Sequence, residues 1–217
     1  MIGVAITGAS GPILGIRLIE ELLNSGEPVC AVVSEAAWSV IAHELGYKKA
    51  GAAPLAALLS GRGKTRALKL LREFDSADFF SPLASGSTPF DAMVVMPCSM
   101  KTLSAAANGY SDSLITRACD VALKEKRKLI LVPRETPLSA IHLENMLKLS
   151  RAGAAIVPPV LGFYSRPQTV SDMVDFVTGK VLNLLGIKHA LFTGWDEQVS
   201  GAAGKPKKRK AVRPTQA

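Results

Sequence analysis

Apolar residues in this chain follow two alternating spacings. Short runs rich in β-branched residues occur at Ile2–Thr7, Val29–Val33, Ala92–Met96, Lys128–Val132 and Ala154–Val157. Elsewhere the apolar positions recur every three or four residues: Ile13, Ile16, Ile19 and Leu22/Leu23 follow the first run, and Val170, Met173, Val174, Val177, Val181 and Leu184 close the pattern. The first spacing predicts strands, the second the apolar faces of amphipathic helices. Further helices are expected from Ser34 to near Tyr47, over residues 112–126, and over Pro137–Ala152, where Thr136 is placed to cap. Pro12 fits the first turn of its helix, where a missing N–H costs nothing. The Gly/Ala-rich and then basic stretch between Tyr47 and Ala92 is assigned no element.

Strands and helices alternating in this order imply α/β architecture, with a parallel sheet covered by helices on both faces. In such sheets ligands lie beyond the carboxyl ends of the strands. Four segments sit there: Gly8-Ala9-Ser10-Gly11, Ser34, the run Pro97 to Thr102, and the run Pro133 to Thr136. They are expected to converge on one crevice.

Composition narrows the class. With 217 residues, 48% hydrophobic and 20% charged, there is apolar material for one well-packed domain, taken as residues 1–200. No apolar run approaches the ~20 residues of a membrane span, and the N-terminus lacks a signal-peptide pattern. A cytoplasmic protein is expected. Cys30, Cys98 and Cys119 are odd in number and widely spaced, and read as reduced thiols. His43, His142 and His189 show no HxH, HExxH or DxH spacing, so no metal site is expected.

The net charge of +8 is unevenly placed. Six of the 26 basic residues fall between Gly201 and Ala217 with no acidic residue, leaving 20 basic against 18 acidic over residues 1–200. The body is therefore close to neutral, and the tail reads as a solvated, disordered extension. A nuclear address or a nucleic-acid contact is the competing reading of its KPKKRK run.

The loops carry the candidate chemistry. Gly8-Ala9-Ser10-Gly11 lets backbone N–H groups and a hydroxyl approach a phosphate at a helix start. A ligand-free turn is the plain alternative, and Glu35 leaves a dinucleotide reading open. Ser99, Lys101 and Thr102 offer two hydroxyls, a cation and free N–H groups at another helix start, or simply a cap with a surface lysine. Arg134 and Glu135 lie between a buried strand and a proline. An arginine fork matches phosphate and a carboxylate moves protons, while a surface ion pair is the plain reading.

Taken together, GASGP, Ser34, PCSMKTLSAAANG, the block LITRACDVALKEKRKLILVPRETPLSAIHLENMLKLSRAGA and GFYSRPQTVSDMVDFVTGKVLNLLGI resemble the UbiX/Pad family of flavin prenyltransferases over roughly residues 1–195. The resemblance implies a flavodoxin-like fold, a large homo-oligomer, usually a dodecamer, and FMN at subunit interfaces. It also implies transfer of a dimethylallyl group from dimethylallyl phosphate to reduced FMN, for use by a separate UbiD-type decarboxylase. By that resemblance Gly8, Ala9, Ser10, Ser34, Ser99, Met100, Lys101, Thr102 and Arg117 match FMN-binding positions. Lys124, Arg134, Glu135, Tyr164 and Lys180 match the prenyl-phosphate site, Phe79 and Trp195 the prenyl pocket, and Glu135 with Ser10 the proton-moving groups. Lys180 stands where some relatives carry arginine and Phe79 where some carry tryptophan. Two other classes are weighed. A flavin-dependent cysteine decarboxylase of the same fold would carry PASANT and PxMNxxMW motifs, whereas this chain has PCSMKT and no MNxxMW. A non-catalytic flavin-binding or nucleic-acid-associated protein would not need Arg134, Glu135 and Tyr164 together.

Overall fold

A computed structural model describes residues 1–65 and 67–194. Trp195 and the basic tail of residues 201–217 lie outside the described residues. Among the described residues there are six strands, β1 (Ile2–Ile6), β2 (Val29–Val33), β3 (Leu71–Phe74), β4 (Ala92–Cys98), β5 (Lys128–Pro133) and β6 (Ala155–Ile156), in one sheet of order β3-β2-β1-β4-β5-β6. Every pairing is parallel. Seven α-helices accompany them among the described residues: α1 (Pro12–Asn24), α2 (Glu35–Leu45), α3 (Pro54–Arg62), α4 (Met100–Ala107), α5 (Leu114–Lys124), α6 (Ala140–Arg151) and α7 (Val170–Leu185). The expected α/β, flavodoxin-like architecture is what the chain adopts.

Side chains alternate across a strand, and the sheet sorts its residues accordingly. Ile2, Val4, Ile6, Val29, Val94, Met96, Ile130 and Val132 face one core with α1, α2, α3 and α7. Ala5, Cys30, Val32, Met93, Val95, Leu129 and Leu131 face the other with α4, α5 and α6. Both faces are dry, which is why the strand sequences read as continuous apolar runs. The close fit depends on Gly15 of α1, where a Cβ would lie 2.0 Å from the Met96 carbonyl oxygen.

The sequence reading is corrected at three places. β3, Leu-Arg-Glu-Phe, pairs only with β2 and is half-exposed, so it carries no apolar run. The Ala-rich segment beginning at Pro54 is helical, and the Glu73 carboxylate holds its start by accepting the Leu55 and Ala56 N–H groups at 2.9 and 2.6 Å. α6 begins at Ala140, not Pro137, because Ser139 rather than Thr136 caps it in a reciprocal pair with His142. Among the described residues no helix is long and apolar enough to cross a membrane.

Candidate functional site

After β1 the chain crosses to β2 on one side, while after β4 it crosses to β5 on the other. The connections diverge and leave a crevice at the carboxyl ends of β1 and β4. Thr7, only 2% exposed, fastens those ends together. Its Oγ1 donates to the Pro97 carbonyl at 2.8 Å and accepts the Ser99 N–H at 2.8 Å, while its own N–H reaches Pro97 at 3.2 Å. Ser99 is thereby held to cap α4, accepting from Thr102 N at 3.3 Å, with the two hydroxyls 3.1 Å apart. Ser34 caps α2 in the same way, accepting from Ala37 N at 3.1 Å. At Gly8 a Cβ would come within 2.6 Å of the Ala36 methyl, so the turn after β1 lies directly against the first turn of α2.

The resulting cleft of about 430 Å³ is lined by Thr7, Gly8, Ser34, Ser99, Lys101 and Thr102 on the strand side. Ser76, Asp112, Ser113 and Thr116 line its other wall, and Ala36, Ala105 and Ile115 add apolar surface. Hydroxyls, a lysine and two capped helix starts suit a phosphate, while the apolar side chains suit a flat ring. The donor set therefore fits FMN. Six of the nine expected FMN positions border or adjoin this space: Gly8, Ser34, Ser99, Lys101 and Thr102 line it, and Met100 follows Ser99 in the first turn of α4.

A family model described as Flavoprotein matches residues 1–182. The flavin prenyltransferase UbiX of Methanocaldococcus jannaschii is 50% identical over 194 residues, covering 88% of this chain and 96% of that protein. This chain belongs to the UbiX flavin prenyltransferase family. The UbiX of Methanothermobacter thermautotrophicus is 47% identical over 195 residues, covering 90% of this chain and 95% of that protein. Among solved UbiX-family structures, AnUbiX (PadA1) in complex with FMN and dimethylallyl pyrophosphate superposes with a TM-score of 0.78 at 39% identity, over 89% of this chain and 96% of that one. A dodecameric FMN-dependent UbiX-like decarboxylase from Escherichia coli O157:H7 gives 0.78 at 42% identity, over 89% of this chain and 98% of that one. The cypemycin decarboxylase CypD, at 16% identity and a TM-score of 0.50 over 72% of this chain and 81% of that one, shares the fold alone.

The remaining residues that the UbiX resemblance singles out are spread more widely. Ala9 and Ser10 are half-buried in the turn beside Gly8 and do not line the cleft; the next N–H, that of Gly11, donates to Glu44 Oε2 at 3.0 Å. Arg134 and Glu135 leave the end of β5 at the same end of the sheet, with Arg134 N donating to Cys98 O at 3.2 Å and Glu135 Oε1 accepting from Thr136 N at 3.0 Å. They do not line the cleft, so three of the four expected loops border it and the fourth stands beside it. Tyr164 and Lys180 share a separate cavity of about 400 Å³ with Val157, Leu161 and Phe176; the Tyr164 ring meets Phe176 edge-on, with centroids 5.6 Å apart.

Arg117 and Lys124 point away from the cleft of their own chain. Arg117 donates to Ala84 O at 3.0 Å and pairs with Asp120 at 2.6 Å. Lys124 lies eight residues beyond Thr116 on α5, about 12 Å along the axis, and pairs with Glu125 against Gly86. Phe79 is 47% exposed on the loop before β4. Cys98 and Cys119 are buried behind the cleft floor; burial pushes the Cys98 thiol well above its usual range and the Cys119 thiol up to about 12. Both stay protonated and serve as packing groups.

Thr7, Glu44, Ser76, Asp112, Ser113 and Thr116 escaped the sequence reading. Ser113 and Thr116 carried a signal, the serine three residues before a second hydroxyl that forms the reciprocal cap of α5. Glu44 carried none, since it reaches Gly11 only because α2 packs beside α1.

Proposed function

We propose that this chain transfers a dimethylallyl group from dimethylallyl phosphate to reduced FMN. The observation that carries this reading is the FMN-compatible cleft at the β1/β4 switch point in a chain half identical to a flavin prenyltransferase along most of its length. Reduced FMN, held by this cleft, would supply the electron-rich ring system that accepts the group. The protein's share is positioning, charge and proton transfer. Ser34 and Ser99 cap α2 and α4 and, with Thr102, line the cleft where a phosphate would meet helix N–H groups, and Lys101 adds a cation. Arg134, Tyr164, Lys180 and Lys124 offer cations and a phenol to the prenyl phosphate, whose bond to the allylic carbon breaks as phosphate departs. The transfer would release one proton from the acceptor ring, which Glu135 would take up and pass to the departing phosphate, with Ser10 assisting from the turn after β1.

The wide spacing of these groups within one chain favours a site completed by further copies. Ile141, Leu143 and Leu147 of α6, together with Val160 and Phe163, leave apolar surface exposed, which a closed homo-oligomer, a dodecamer by the UbiX resemblance, would bury. Arg117, Lys124 and Phe79 then come to a flavin held by a neighbour. Delivery of prenylated flavin to a UbiD-type decarboxylase, a cytoplasmic location, independence of divalent metal and a dispensable tail beyond Ser200 complete the proposal.

Anaerobic single-turnover assays, with mass spectrometry of the released flavin, test it. Wild type should form prenylated FMN in excess EDTA, and Glu135→Gln should bind FMN yet lose at least ~100-fold in rate. Unmodified flavin from the wild-type reaction refutes the activity, and an EDTA block refutes metal independence.

A further inference from the structure

The part of the cleft that one chain builds carries negative charge that a site for a phosphate ester does not need. Among the described residues lining it, the ionised side chains are one ammonium, Lys101, and two carboxylates, Glu35 and Asp112. Glu35 pairs with Lys49, a wall residue of the neighbouring cavity, so its charge is offset from outside the cleft. Asp112 instead faces Lys101, with Oδ2 4.0 Å from Nζ. Its other oxygen lies 3.3 Å from Thr116 Oγ1, a hydroxyl shared with Ser113 O at 3.1 Å and Ser113 Oγ at 3.0 Å, and Thr116 is 4% exposed. The carboxylate is thus held by a buried anchor at the start of α5, where the helix dipole favours an anion. Lys101 has no such anchor: it is 87% exposed and sits in the first turn of α4, where the dipole disfavours a cation.

We infer that Asp112 competes with the flavin phosphate for Lys101 and so keeps the flavin exchangeable. The inference rests on the proposed reaction, in which flavin is consumed and must leave after each turnover. A resident cofactor is held best by a site of net opposite charge, whereas a product held that way leaves slowly, since affinity differences appear mainly in the off-rate. A fixed carboxylate beside the lysine that this chain places in the wall weakens the grip on phosphate without touching the ring. Exposed charge pairs of this kind change an equilibrium constant by about 1.5- to 5-fold.

Asp112→Asn removes the charge and keeps an oxygen for Thr116. Fluorescence titrations of the full-length assembled protein, freed of flavin, should show FMN binding about two- to fivefold tighter to this variant, with riboflavin unchanged because it has no phosphate. Stopped-flow dissociation of FMN should slow by the same factor, and salt near about 0.5 M should shrink the gain. In a Lys101→Met background the gain should vanish, the double-variant comparison isolating the pair. Weaker FMN binding by Asp112→Asn would mean that the carboxylate positions Lys101 for phosphate, and overturns the inference. An equal gain for riboflavin, no change for either flavin, or a gain that persists without Lys101 overturns it as well. If no prenyl transfer is found, the proposed reaction fails, while the FMN-to-riboflavin ratios still decide what Asp112 does.

Discussion

Replacing Thr7 by valine keeps the shape of a buried side chain and deletes the hydroxyl that joins β1 to the start of α4. The Pro97 carbonyl keeps one partner, the Thr7 N–H at 3.2 Å, but the Ser99 N–H loses its acceptor at 2.8 Å. An amide left without a partner costs about 1–3 kcal/mol, and the half-buried setting of Ser99 lets water recover part of that, so about 1–2 kcal/mol is expected. For a chain of this size that lowers Tm by roughly 2–8 °C. The larger effect should fall on the cleft: a looser Ser99 no longer presents the α4 cap, and FMN binding should weaken. Thr7→Ser is the control, because it loses a buried methyl worth about 1 kcal/mol yet keeps the hydroxyl. Thermal scans and FMN titrations at equal protomer concentration should therefore show both variants destabilised and only the valine variant impaired in FMN affinity. Wild-type FMN affinity in Thr7→Val, or equal loss in both variants, would refute the role given to this hydroxyl.

Gly15→Ala puts a Cβ 2.0 Å from Met96 O and 2.8 Å from Ile6 Cγ1; α1 must lift off the sheet, and soluble yield or denaturant midpoint should fall by the equivalent of about 3 kcal/mol or more. Arg62→Ala leaves the fully buried Glu20 with only Arg17 at 3.5 Å in place of a 2.5 Å partner, and should cost about 3 kcal/mol in urea unfolding, most of it recovered when Glu20→Leu is added. The buried thiols should resist iodoacetamide at pH 8 in the folded protein and all three should react after denaturation, which peptide mass mapping reads directly. Because burial raises the Cys98 and Cys119 pKa values above the unfolded 9.0, their share of stability is full below about pH 9 and is lost as pH rises towards the folded values; the urea midpoint should fall from about pH 9 upward, with the Cys119 share gone by about pH 12.

Much of the fold was legible because a doubly covered parallel sheet writes its strands as apolar runs and its helices as periodic stripes. β1, β2, β4, β5 and β6 were found within about two residues of their ends, and Ser34 and Ser99 were placed at helix starts from their order in the chain. β3 and α3 were missed because their stability comes from neighbours: β3 pairs along one edge only, and α3 is held by Glu73 and Arg62. The site divides the same way. Residues that act through their own backbone position, Gly8, Ser34, Ser99 and Thr102, were readable from local sequence, since a cap or a glycine turn is a matter of a few successive dihedrals. Thr7 bonding across 90 residues to Pro97, Glu44 reaching Gly11 and Asp112 facing Lys101 depend on how separate elements pack. No local pattern encodes these pairings, because their partners become neighbours only when the sheet and both helical layers are assembled.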